Sequence, residues 1–174
     1  MVPVYPPVMG EKHVSGVVFD TEMGWVGVSS SPLGLRALVL PRSSREEARE
    51  LLGKGVGFIP ESATVVRSLV ERLRAYFAGR PVEFPDRLDL SGATAFQHMV
   101  WETARLIPYG ETRSYAWLGE KVDRPRAYRA VGQAMGSNPL PVIVPCHRVI
   151  RSDGSPGGFG EGTHLKEQLL RLEK

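Results

Sequence analysis

Between Val14 and Leu40 the chain sets short valine-rich runs, "VSGVVF", "GWVGVSS" and "LRALVL", between glycines and prolines. Runs of that length and residue type predict the strands of a small sheet. "SSREEARELLG" follows, with serine at its head and Gly53 at its foot, and predicts a short capped helix. From Ser62 to Gly79, Val65, Val66, Leu69, Val70, Leu73, Tyr76 and Phe77 recur at helical spacing. "GRPVEFPDRLDLSG" is proline-rich and polar, and reads as a connection. These signals divide the chain into an N-terminal α/β domain over 1–85, a linker over 86–91 and a C-terminal domain over 92–174.

In the C-terminal domain, Phe96, Met99, Val100, Thr103 and Ile107 predict a helix ending at Pro108. Two short helices come next. One spans Tyr115 to Lys121, and the other opens near Asp123 and Pro125, residue types suited to an N-cap and a first helical turn. A tight turn between two such helices is compatible with a helix-turn-helix. The second helix has a small apolar face of Ala127, Ala130, Val131 and Ala134, with Arg126, Arg129 and Gln133 on another. Gly132 within it costs about 1 kcal/mol against alanine, so a neighbouring surface is expected to come close there, either another helix or a DNA backbone. After Asn138 an extended apolar segment punctuated by prolines leads through a glycine-rich loop to a last helix over Thr163–Leu172.

Composition narrows the function only a little. The 174 residues carry a net charge of +3 and a pI near 9.2, which permits nucleic-acid binding without requiring it. The single cysteine excludes an internal disulfide, and His13, His98, His147 and His164 do not have zinc-ligand spacing. No metal or other cofactor is expected. "MVPVYPPVMG" lacks the basic region and apolar run of a signal peptide, and no stretch is long and apolar enough to cross a bilayer, so a cytoplasmic protein is expected. Arginine outnumbers lysine and Asn138 is the only asparagine, a composition that points to a hot-living source.

The one cysteine, Cys146, stands in "PVIVPCHRVI". Pro145 fixes φ and removes a donor, which predicts a stiff turn at the end of a buried strand and a rigidly presented thiol. Such a thiol is either a nucleophile, attacking as thiolate, or a small buried hydrophobe. In extended backbone His147 would point to the opposite face, so a water would have to carry a proton between thiol and imidazole. Arg148 is either part of the site or paired with an acidic residue.

"PCHRVI", preceded by "SYAWLGE", "YRAVGQAM" and "GSNPLPVI" and followed by "GSPGGFGEG" and "LKEQLL", resembles the C-terminal domain of the O6-alkylguanine-DNA alkyltransferases over about residues 92–174. With the elements above, the resemblance implies an α/β (α+β) fold. A small N-terminal sheet-plus-helix domain would precede a mainly helical domain with a helix-turn-helix of winged-helix type. It implies that Cys146 takes the alkyl group from guanine O6, or from O4-alkylthymine, irreversibly, with His147 as base through a water. Glu167 would orient His147, although the helical wheel places Glu167 opposite the stripe of Leu165, Leu169 and Leu172. Asn138 would join the DNA-reading helix to the cysteine segment, and Tyr115 would donate to guanine N3 and crowd the phosphate. Arg129 would enter the base stack in place of the extruded nucleotide. Met135 would line the base pocket, the backbone of Cys146 and Val149 would read guanine's amino group, and the amide of Gly160 would meet O6. Phe159 stands where some relatives carry tyrosine, and the zinc ligands of some relatives' N-terminal domains are missing. The implied partner is double-stranded DNA containing O6-alkylguanine, bound by a monomer with no membrane involvement. A cysteine hydrolase would leave Arg129 and the small-faced helix without a purpose; a DNA-binding regulator would leave Cys146 without one.

Overall fold

The computed structural model describes residues 13–174, so the signal-peptide reading of the first ten residues lies outside the described residues. Contacts divide the chain into two compact units, the first ending at Leu90 and the second beginning at Ser91.

The first unit is built on a four-stranded sheet of β1 (Val14–Thr21), β2 (Gly24–Ser31), β3 (Gly34–Arg42) and β4 (Val56–Phe58). Its order is β3-β2-β1-β4, with β4 parallel to β1 and the other pairs antiparallel. The three valine-rich runs supply β1 to β3; β4, only three residues long, carries too little pattern to be read beforehand. Helix α1 (Arg45–Leu52) is capped as expected, by the Ser44 side chain at its start and Gly53 at its end. Helix α2 (Thr64–Phe77) buries Val66, Leu69, Val70, Leu73, Tyr76 and Phe77. Each such side chain contributes about 1.5–3 kcal/mol by leaving water.

The polar, proline-rich segment after α2 is not a free tether. Arg72 grips the buried Asp86 through two hydrogen bonds of 2.7 and 2.9 Å. Leu35 exchanges backbone hydrogen bonds with Arg87 and Asp89, and Ser31 donates to the Asp89 carboxylate. These contacts hold the chain to the first unit as far as Leu90, well into the span read as a linker. Proline and charge mark loss of regular structure, and they say nothing about whether a loop is anchored.

The second unit contains α3 (Ala95–Ala104), α4 (Tyr115–Lys121), α5 (Tyr128–Gly136) and α6 (Thr163–Leu172), with β5 (Arg113–Ser114) and β6 (Val149–Ile150) paired in parallel. Helix α3 buries Val100, Trp101 and Ala104, followed by Ile107, whereas Met99 is exposed. The predicted stripe is therefore rotated, because Trp101 anchors the helix by donating its indole N–H to the Ala134 carbonyl at 2.7 Å. Helix α5 begins several residues later than Asp123 and Pro125 suggest. Asp123 adopts a left-handed φ of 57°, and the Arg124 amide folds back onto the Gly119 carbonyl at 2.7 Å. A Cβ at Gly119 would lie 3.0 Å from the Arg124 carbonyl oxygen, so the turn needs that glycine. Among the described residues no helix is long and apolar enough to cross a membrane, and no cluster of three metal-ligating residues is present.

Candidate active site

Cys146 is buried and begins a single 3-10 turn, Cys146–Arg148, instead of ending a strand. The alternation of faces expected for extended backbone therefore does not apply to Cys146 and His147. Before this turn the chain is tightly folded. Val142 takes a left-handed φ of 74°, which costs a β-branched residue on the order of 1–2 kcal/mol, and the Val144 amide donates to Leu140 at 2.8 Å. Asn138 fastens this bend. Its carboxamide accepts from the Leu140 amide and donates to the Val144 carbonyl, each at 2.9 Å, and it also stabilises the thiolate by hydrogen bonding.

His147 is fully buried, and its partner is Glu173. Nε2 of the ring lies 2.6 Å from Glu173 Oε1. A carboxylate only accepts, so Nε2 carries the proton and Nδ1 keeps its lone pair, the tautomer that a base requires. The same carboxylate receives three hydrogen bonds from Arg148 at 2.9–3.2 Å, and Oε2 accepts the Gly110 amide at 3.1 Å. Arg148 also donates to the Ile107 carbonyl at 2.8 Å, so it serves the framework.

Glu167, read as the residue that orients His147, is not in this network. Its side chain is 46% exposed and lies 3.9 Å from Arg171, one helical turn on. At about 100° per residue, Glu173 falls about 40° from the buried Leu169, while Glu167 falls about 160° away. The wheel had placed Glu167 correctly, and extending it past Leu172 would have found Glu173. Glu167→Gln is accordingly expected to change stability by no more than about 0.5 kcal/mol and to leave the alkylation rate of Cys146 unchanged, as thermal melts and a thiol-alkylation time course would show.

Lys166 was also missed, because a lysine in an amphipathic helix reads as solvent-facing. It is fully buried, and its ammonium donates to the Val149 carbonyl at 2.6 Å, the Tyr115 hydroxyl at 3.3 Å and the Gly158 carbonyl at 3.5 Å. Burial lowers its pKa to about 8, against the opposing pull of the Cys146 charge.

A neighbouring histidine and arginine would by themselves draw a thiol pKa below that of free cysteine. The structure gives the opposite direction. Burial pushes the Cys146 thiol up, and Asn138, Lys166 and the local backbone amides only offset part of that rise. Burial likewise holds His147 below its ordinary value despite the support of Glu173, so the imidazole is neutral near pH 7. The site thus holds a protonated thiol and a neutral imidazole, with a buried cation, Lys166, whose charge favours the thiolate.

Tyr115, Tyr128, Arg129, Gly132, Gly136, Gly158 and Phe159 are among the residues around a cavity of about 720 Å³. Tyr115 is close enough to Cys146 to feel its charge. Arg129 is exposed on α5, Met135 and Val149 are buried, and Gly160 lies near Gly136, where an added Cβ would sit 3.6 Å from the Gly136 carbonyl. A Cβ at Gly132 or Gly136 would meet nothing within 4 Å. No neighbouring helix explains Gly132.

A bent, asparagine-fastened turn thus carries the one thiol, next in the chain to a carboxylate-held histidine. Residues 95–174 match the family described as 6-O-methylguanine DNA methyltransferase, DNA binding domain. A methylated-DNA–protein-cysteine methyltransferase of Mycobacterium leprae is 50% identical over 119 residues, 68% of this chain and 71% of that protein. Its counterpart in Methanosarcina barkeri is 40% identical over 151 residues, 84% of this chain and 95% of that protein. The crystal structure of Mycobacterium tuberculosis OGT in complex with DNA matches with a TM-score of 0.77 and 39% identity, covering 92% of each chain. The chain belongs to the methylated-DNA–protein-cysteine methyltransferase family.

Proposed function

We infer that this protein repairs double-stranded DNA by moving the alkyl group of O6-alkylguanine onto Cys146, once per molecule. The observation that carries the reading is the buried Cys146 followed by His147, whose imidazole is fixed by Glu173 in the tautomer that keeps a basic lone pair on Nδ1. His147 takes the thiol proton through a water. The thiolate sulfur attacks the alkyl carbon, the S–C bond forms as the C–O6 bond breaks, and the electron pair goes to the purine. Tyr115 supplies a proton at N3, so the proton lost by sulfur balances the one gained by guanine. The thioether has no leaving group, which ends the cycle. No cofactor takes part, and the need for a reduced thiol suits the cytoplasm. Repair assayed with lesion DNA in large excess should stop at one guanine restored per chain. Continued turnover would contradict the reading.

The lesion cannot be reached inside a stacked duplex and must be extruded. The α5 helix, with Arg129 exposed and Gly132 and Gly136 bare, suits close approach to the minor groove, where Arg129 fills the vacated stack. Met135, Val149, Phe159 and Gly160 then border the extruded base. Extrusion costs a few kcal/mol, so Arg129→Ala should slow duplex repair on the order of a hundredfold and reaction with free O6-benzylguanine far less. Comparable losses on both substrates would remove Arg129 from the extrusion step.

A further inference from the structure

Tyr128, the first residue of α5, is 56% exposed, and neither its ring nor its hydroxyl has a partner among the described residues. It lines the same cavity as Arg129, Tyr115 and Phe159. Tyr128, Gly132 and Gly136 recur every fourth residue, so they share one face of the helix. That face has a bare backbone along two turns and a large aromatic standing at its head. Neither feature has an internal packing explanation, since the tyrosine projects into solvent and the glycines face open space.

Apolar side chains that enter a minor groove act by wedging against base steps, and aromatic rings stack on any exposed base face. We propose that Tyr128 is a second wedge, its ring stacking on the base pair that flanks the gap while Arg129 fills the gap itself. The proposal rests on the base-extrusion reading above. It assigns the bare stripe to the path of the DNA backbone and the tyrosine to the point where the duplex is opened. Holding the flanking pair apart would make Tyr128 a positioning residue for duplex substrates, with little influence on a free base.

The test compares wild type, Tyr128→Ala and Tyr128→Phe on a duplex carrying O6-methylguanine and on free O6-benzylguanine. Tyr128→Ala should slow duplex repair about tenfold, the usual size of a lost stacking contact, with a far smaller loss on the free base; Tyr128→Phe should repair the duplex like wild type. Unstacking is read separately, from the fluorescence of a 2-aminopurine flanking the lesion, which should brighten on binding by wild type and by Tyr128→Phe but much less with Tyr128→Ala. That signal needs no transfer, so failure of the alkyl-acceptor reading, seen as no methyl gain by wild type, is distinguishable from failure of the wedge. Duplex repair and brightening at wild-type level in Tyr128→Ala would overturn the proposal. So would an equal loss in Tyr128→Phe, which would assign the effect to the hydroxyl.

Discussion

Glu173→Gln is expected to slow alkyl transfer at neutral pH by about a hundredfold, the scale of a lost general base, and to destabilise the second unit by about 3 kcal/mol, as expected when a buried charge loses its partner. Two effects meet at this carboxylate. It accepts from His147 at 2.6 Å, and it is the acidic partner of the buried Arg148, which would face a neutral amide in the variant. The sign of the pH dependence separates them. Glu173 raises the His147 pKa against the lowering effect of burial, so its removal makes the imidazole a weaker base. The Cys146 thiol is held up by burial and is mostly protonated at neutral pH, so the variant should be slow there. As pH climbs, solvent removes the thiol proton unaided and the ratio of wild-type to variant rate should fall. Lys166 loses its proton near pH 8 in both proteins and largely cancels in that ratio. Rates are to be measured below the variant's melting temperature. A ratio constant across pH would mean that Glu173 only supports the fold.

Cys146→Ser should reduce transfer to background while leaving DNA affinity largely intact. A hydroxyl in the same buried position has a far higher pKa than a thiol, and the neutral His147 is too weak a base to ionise it. Affinity for DNA comes chiefly from phosphate contacts, to which a buried 3-10 turn contributes nothing. Filter binding and a transfer assay on the same duplex check both halves; transfer by the serine protein near the wild-type rate would remove Cys146 as nucleophile.

Much of this architecture is written in local pattern. The valine-rich runs give three strands, and the predicted spans of the fourth and last helices, 115–121 and 163–172, coincide with α4 and α6 because serine, glycine and leucine spacing are local signals. The start of α5 was hidden because Asp123 and Pro125 imitate a helix start, whereas the Arg124 amide closing on Gly119 is a contact the pattern does not display. The site was legible to the extent that chemistry was local. Cys146, His147 and Asn138 stand out by residue type. Glu173 and Lys166 act through burial, and burial of a charge at the edge of an amphipathic helix cannot be told from solvation until its partners are in place. The direction of the thiol pKa is hidden for the same reason, since neighbouring cations suggest a fall while desolvation produces a rise.

Under the proposed mechanism Cys146 itself is the final acceptor. The most direct test incubates the protein with a duplex carrying one O6-methylguanine, measures intact mass, and locates the modification by digestion. The expected result is a gain of one methyl group, confined to the peptide containing Cys146, with no further gain when fresh lesion DNA is added. Restored guanine with an unmodified protein mass would contradict it and would mark the thiol as belonging to a hydrolase that turns over.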